Sequence, residues 1–252
     1  MRKIAVCNQK GGVGKTATAV SLSAGLSLAE KKVLLVDIDP QANATSGLGI
    51  DYRCLKMSVY DCLYEPALTK QVIVKTKWPR LSVLPSTPDL AGAEIELVEK
   101  ESREMHLKRV LTILHDDYEF IIIDCPPSLG ILTVNGLVAS NSVIIPIQCE
   151  YYALEGLEKL LKTLKAIKNG LNENLIIEGI LLTMFDARLN LAKDVVDDIQ
   201  KHFPNAVFRT IIPRSVRVAE APSYGESVIH YRISSTGAQA YLNLTRELLN
   251  HA

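Results

Sequence analysis

The amino-acid sequence predicts an α/β protein, a single-domain, doubly wound and mostly parallel sheet. Three observations predict it. Six short apolar runs rich in β-branched residues recur along the 252 residues, as strands buried on both faces do. Helical repeats of apolar residues lie between them, the alternation that builds βαβ units. The first strand-like run then leads through clustered glycines straight into a helical pattern.

Taken in order, Ile4–Cys7 is the first strand, and Thr16–Ala29 follows with Ala19, Leu22, Leu26 and Ala29 on one helical stripe. Val33–Val36, Leu81–Leu84, Phe120–Ile123, Ser142–Ile145 and Ile176–Leu182 are the remaining strands. Tyr152–Ile167 repeats Leu154, Leu157, Leu160, Leu161, Leu164 and Ile167, the spacing of a helix packed on a sheet. Asn190–His202 and Ser235–Leu249 read the same way. Asp51–Lys77 has a weak pattern and receives no element. No repeat, low-complexity tract or long Pro/Gly/Ser linker divides the chain, so residues 1–252 read as one domain.

Composition excludes several function classes. The 28 basic and 28 acidic residues cancel, so no whole-molecule field draws nucleic acid and any basic patch must be local. The five cysteines, Cys7, Cys54, Cys62, Cys125 and Cys149, form no C-x-x-C pair, which argues against a disulfide framework or zinc site. Apolar runs such as Val143–Ile147 are far too short to span a bilayer. The N-terminus lacks the form of a signal peptide, and a cytoplasmic location is expected.

The motif that carries chemistry is Asn8-Gln9-Lys10-Gly11-Gly12-Val13-Gly14-Lys15-Thr16, placed between strand and helix. Glycines let backbone N–H groups turn inward around phosphate oxygens, and a helix N-terminus adds partial positive charge. Lys15 is placed to reach β- and γ-phosphates and the Thr16 hydroxyl to ligate Mg²⁺. The first glycine of the usual G-x-x-x-x-G-K-[ST] pattern is replaced by Gln9. A second lysine, Lys10, precedes the Gly-Gly pair. Because Lys15 already serves the phosphates, Lys10 is expected to act in trans on the nucleotide of a facing subunit, in a dimer that sandwiches two ATPs.

Two carboxylate loops complete the expected site. The second strand closes on Asp37-Ile38-Asp39-Pro40, and ligands of an open parallel sheet lie beyond the carboxyl ends of its strands. Asp39 is the candidate for orienting or activating the attacking water, and Asp37 for supporting the Mg²⁺ shell. Phe120–Ile123 runs into Asp124, which is expected to hold Mg²⁺ through water. Pro126, Pro127 and Gly130 then form a loop suited to sensing the γ-phosphate.

Together these segments resemble the ParA/Soj group of P-loop NTPases of the deviant Walker A type, which partition bacterial chromosomes and plasmids. The likeness extends through Val36-Asp37-Ile38-Asp39-Pro40-Gln41, Leu182-Thr183-Met184-Phe185-Asp186-Ala187-Arg188 and Ile212-Pro213-Arg214-Ser215-Val216-Arg217. It implies an ATPase that closes as an ATP-bound homodimer, coats double-stranded DNA without sequence preference and is stimulated by a ParB/Spo0J-type partner. It also implies nucleoid association and a short form of the family. Lys10 matches the signature lysine, Lys15 the loop lysine and Asp39 the acid required for hydrolysis. Gly11 to Ala17 contact the nucleotide, and Met184 and Pro213 pack the adenine. Ala17 and Ser21 depart from a common threonine and asparagine without disturbing the phosphate chemistry.

DNA contacts are expected at Arg209, Arg214 and Arg217, because residues 201–232 hold five Lys/Arg against two acids and dimerisation would double that patch. Lys159, Lys162, Lys165 and Lys168 form a second basic stripe. A membrane-positioning ATPase of the MinD type shares the loop and both carboxylates but needs a basic amphipathic C-terminal helix. Residues 240–252 carry one Arg and one Glu, so no membrane partner is expected. A redox relative would need paired cysteines, a metabolic ligase or small-molecule kinase a second substrate pocket, and a non-cycling scaffold the loss of Asp39.

Overall fold

In the computed structural model, which describes residues 1–115, 117–150 and 153–250, seven strands form one sheet. They are β1 (Arg2–Val6), β2 (Val33–Asp37), β3 (Val74–Lys75), β4 (Leu81–Leu84), β5 (Phe120–Asp124), β6 (Ser142–Gln148) and β7 (Ile176–Thr183). Their order is β3-β4-β2-β5-β1-β6-β7. Every pairing is parallel except the two-residue β3–β4 ladder at one edge. From β1 the chain moves outward through β2 and β4, returns through β5 to β1's flank, and leaves by β6 and β7 on the other side. The loop after β1 therefore lies at a topological switch point, where open α/β sheets bind ligands.

Helices cover both faces, which is why β2 and β5 are apolar along their length and buried at every position. One face packs Leu107, Val110, Leu137, Leu157, Leu160 and Leu164 against the sheet. The other packs Leu22, Leu26, Tyr241, Leu244 and Leu248 from the helices Lys15–Leu28 and Thr236–Asn250. Burying one such side chain contributes about 1.5–3 kcal/mol, so these stripes fix which way each helix lies.

The expected strands and helices are present, with ends displaced by a few residues. β6 continues to Gln148 although the sequence reading ends at Ile145. Pro146 cannot donate to a ladder, yet its carbonyl accepts from Asn8 Nδ2 at 2.7 Å. Tyr152, the expected start of the helix ending near Ile167, lies outside the described residues, as does Tyr151; the helix is described from Ala153 to Gly170. The segment left unassigned at 51–77 contains the one-and-a-half-turn helix Val59–Tyr64, the single turn Thr69–Val72 and β3. Elements this short fall below the window in which hydrophobic periodicity is visible.

A further correction concerns the edge beyond β7. Residues 206–213 run beside it in extended form: Ile180 N donates to Ala206 O at 2.6 Å, Phe208 N to Ile180 O at 3.0 Å and Ile212 N to Leu182 O at 2.8 Å. That segment covers an edge that would otherwise be open to another chain. Among the described residues, no helix is long and apolar enough to cross a membrane.

Candidate nucleotide site

Residues 7–14 join β1 to the helix Lys15–Leu28. Gly12 has φ 74° and Gly14 φ 88°, left-handed conformations that cost other residues roughly 1–2 kcal/mol. No side chain caps this helix, so its first N–H groups are free to face an anion. A Cβ added at Gly11 or Gly12 would meet nothing within 4 Å. The loop is an open cradle. Lys15 is 7% exposed, and its Nζ donates to Lys10 O at 2.9 Å, one use of its three donors. Burial lowers its pKa, with Asp124 the strongest opposing influence.

Asp37, Asp39 and Asp124 come together beneath this cradle at 0%, 6% and 0% exposure. Neither carboxylate oxygen of Asp124 has a hydrogen-bond partner. Burial pushes its pKa well above the usual carboxylate range, and Asp37 adds to the rise; the nearby Thr16 hydroxyl and Lys15 work against it. A buried acid without a donor is costly unless a cation completes it. With the Thr16 hydroxyl it makes an all-oxygen donor set that suits Mg²⁺, which keeps several waters and takes phosphate oxygens as ligands. No group of three His, Cys, Asp or Glu among the described residues forms an all-protein metal cage.

Asp37 is committed differently. Its Oδ1 accepts from Asp39 N at 3.1 Å, and its Oδ2 accepts from Thr45 N at 2.8 Å and Thr45 Oγ1 at 2.7 Å. Desolvation nonetheless lifts its pKa to about 6. These bonds hold the loop that bears Asp39, and Oδ1, with a single donor, keeps acceptor capacity on the side of Asp124. Ser86 fastens the same loop from the end of β4: its Oγ donates to Asp39 O at 2.8 Å and its N to Thr45 Oγ1 at 3.0 Å. Asp39 Oδ1 accepts from Gln41 N at 2.9 Å, and Oδ2 has no donor among the described residues.

Lys10 lies outside the cradle. Its Nζ pairs with Glu150 at 2.8 Å, both side chains about half exposed. Its backbone N donates to Asn8 Oδ1 at 3.0 Å, so Asn8 pins the loop to β6. At the rim, Thr183 Oγ1 donates to Val13 O at 2.9 Å, and a Cβ on Gly14 would touch Met184 Cε at 3.9 Å. Met184 has φ 53° and Pro213 bridges Phe185, which brings both expected adenine contacts to one side of the loop. Thr16 and Ala17 open onto a cavity of about 250 Å³ shared with Asn43, Ser46 and Pro222.

The three arginines are exposed. Arg217 pairs with Glu220 at 2.6 Å, and the backbone N–H of Arg209 donates to Glu247 at 2.6 Å. Arg214 N donates to Phe185 O, which places it near Asp186, where Arg188 also pairs at 2.6 Å. Asn8, Thr45, Ser86 and Glu150 were not singled out from the sequence. Asn8, Ser86 and Glu150 act through contacts across 41 to 140 positions, while Thr45 reaches Asp37 across only eight, and only the small polar residues after Asp39 hinted at them.

A parallel sheet that aims a glycine cradle, a desolvated lysine and an unpartnered aspartate at one crevice places the molecule among the P-loop ATPases. Known proteins narrow the class. A family profile described as AAA domain matches residues 1–177. The sporulation initiation inhibitor protein Soj of Bacillus subtilis is 55% identical over 245 residues, covering 97% of each chain. The chromosome partitioning protein ParA of Myxococcus xanthus is 51% identical over 248 residues, covering 98% of this chain and 88% of that one. A solved structure named cobyrinic acid a,c-diamide synthase from Mycobacterium smegmatis, with bound ATP analogue and magnesium, superposes with TM-score 0.88 at 39% identity, over 100% of this chain and 95% of that one. The chain belongs to the Soj/ParA family of partitioning ATPases.

Proposed function

We propose that the protein is an ATP-dependent switch for chromosome or plasmid partitioning in the cytoplasm, hydrolysing ATP to ADP and phosphate slowly while associated with the nucleoid. The observation that carries this reading is the pairing of a buried, under-used Lys15 ammonium with a buried, unpartnered Asp124. Burial disfavours the charge on each, and a magnesium–triphosphate would compensate both. Gly11 to Ala17 bind the phosphates, Thr16 and Asp124 hold Mg²⁺ in part through water, and Met184 and Pro213 flank the base. Bound Mg²⁺ supplies charge neutralisation at the β- and γ-phosphates. Asp39 orients water at the γ-phosphate, and Asp37, Thr45 and Ser86 keep it there.

Lys10 is the element that makes the site incomplete in one subunit. An exposed ion pair such as Lys10–Glu150 contributes about 0–1 kcal/mol, so a second copy bringing a triphosphate displaces Glu150 easily. Dimerisation then doubles the arginine-bearing face, where Arg209, Arg214 and Arg217 meet DNA phosphates, and a ParB/Spo0J-type protein speeds turnover. Gel filtration of wild type and Asp39→Ala with ATP and Mg²⁺, each with and without DNA, tests this cycle. The expected outcome is a dimer that persists in Asp39→Ala and binds DNA, with turnover lowered about 10²-fold or more. A variant that stays monomeric at saturating ATP overturns it.

The likeness to the Mycobacterium smegmatis structure supports a second reading, amide synthesis on a small acid. In that case phosphate release would depend on the acid and ignore DNA.

A further inference from the structure

A cavity of about 790 Å³ opens at the amino ends of the strands, away from the phosphate loop. Among the described residues, five cations, Lys32, Lys70, Lys75, Lys77 and Arg80, line it with one carboxylate, Asp117, a local excess in a chain whose charges cancel as a whole. Lys70 pairs with Asp117 at 2.8 Å and Lys77 with Glu226 at 2.6 Å. Lys32, Lys75 and Arg80 have no ion-pair partner among the described residues; Arg80 acts on Glu119 only at longer range. Lys32 precedes β2, while Lys75 and Arg80 flank the turn between β3 and β4, so their repulsion is held by the fold, and a concavity lined by one sign of charge concentrates counter-ions.

The lining is not only charged. Ile73, Leu81 and Leu114 line it with apolar surface, and Trp78 and Tyr118 offer flat rings. Trp78 is fixed by stacking on His230, with ring centroids 4.2 Å apart and planes 12° from parallel, while Lys77 Nζ stands 4.7 Å from its centroid. The volume falls in the range of small-ligand pockets, and apolar walls with a few convergent polar groups are their usual lining. Several unpartnered cations beside flat and apolar surface suit a ligand with a chain of negative groups and a planar body.

We propose that this cavity is a second anion site that takes a nucleoside phosphate, its phosphates against Lys32, Lys75 and Arg80 and its base on the apolar lining. A free nucleotide and the end of a nucleic-acid strand share that chemistry.

Trp78 is the chain's one tryptophan, so its emission reads the cavity directly. Two variants separate the sites: Lys15→Ala disables the phosphate loop, and Lys75→Glu with Arg80→Glu reverses charge at the cavity. Titration with GDP is expected to quench Trp78 saturably in wild type and in Lys15→Ala. The charge-reversed pair is expected to weaken the effect about tenfold or more, and inorganic tripolyphosphate to compete. Lys75→Ala with Arg80→Ala gives a milder weakening and serves if charge reversal prevents folding. A short DNA duplex that quenches and competes with GDP assigns the source to nucleic acid; one that does neither assigns it to free nucleotide. Absence of saturable quenching overturns the proposal. So does quenching that vanishes in Lys15→Ala and survives in the cavity variants.

Discussion

Asp124 shows how one buried group can oppose stability and serve function. Its folded pKa is raised by burial and by Asp37, and that of Asp37 is raised to about 6. An acid shifted upward contributes stability that is complete below its unfolded pKa and lost as pH rises through the folded value. The nucleotide-free protein therefore loses stability as pH rises above about 4 through both groups, the loss through Asp37 ending near pH 6 and that through Asp124 continuing to higher pH. Asp124→Asn keeps the shape without the charge. Urea unfolding without Mg²⁺ is expected to show little difference from wild type at about pH 3.5, below the unfolded pKa, and a gain of about 1–3 kcal/mol at pH 8. The same variant is expected to lose the magnesium dependence of ATP binding in calorimetry. An equal difference at both pH values would remove ionisation of Asp124 as the cause.

At the scale of elements, two turns meet backbone to backbone. Gly225 ends the turn Ala221–Tyr224 with φ 64°, and a Cβ there would lie 2.6 Å from Gly49 Cα and 3.0 Å from Gly49 N. Gly49 follows the short helix Asn43–Gly47, whose Thr45 holds Asp37. The loop bearing Asp39 is thus packed against the segment that follows Arg217. Gly225→Ala combines left-handed strain with overpacking and is expected to cost about 2–3 kcal/mol, a fall in Tm of about 4–12 °C for a chain of this size. Gly170→Ala, at a helix end with nothing within 4 Å, is expected to be neutral or slightly stabilising. Thermal unfolding of the two variants reads the contrast, and equal shifts would mean the turns do not constrain each other.

For the whole molecule, the proposed cycle asks a chain with zero formal charge to grip a polyanion. The three arginines lie along a sheet edge and the helix beyond it, with Glu220 and Glu247 among them. On the proposed reading, affinity in one subunit would be weak, and pairing two subunits would bring more cations to one face. Each arginine that meets a phosphate contributes about 0.9 to the slope of log affinity against log salt. Replacing Arg209, Arg214 and Arg217 together by alanine is expected to flatten that slope by roughly one to three and to weaken random duplexes alike. Salt titration with ATP present measures it; an unchanged slope would place the DNA face elsewhere, with the Lys159–Lys168 stripe next in line.

Much of this protein is local information. Runs such as Phe120–Ile123 are buried on both sides and carry no alternation, so they announce parallel strands; Gly12, Gly14, Lys15 and Thr16 are adjacent because a helix N-terminus and its anion are made by consecutive backbone groups. The sequence by itself determined the doubly wound sheet, the cradle and the three aspartates. Tertiary structure alone decided what each aspartate can do: Asp124 is left unpartnered, Asp37 is bound by Thr45, and Asp39 is held by Ser86 from the next strand. It also decided that Lys10 meets Glu150, that residues 206–213 cover the sheet edge, and that Lys32 and Lys70 join the local run Lys75, Lys77 and Arg80 around one cavity. The reason is the same in each case. Burial and hydrogen-bond partners depend on which distant segments arrive beside a residue, and spacing along a chain records only the neighbours that the chain itself supplies.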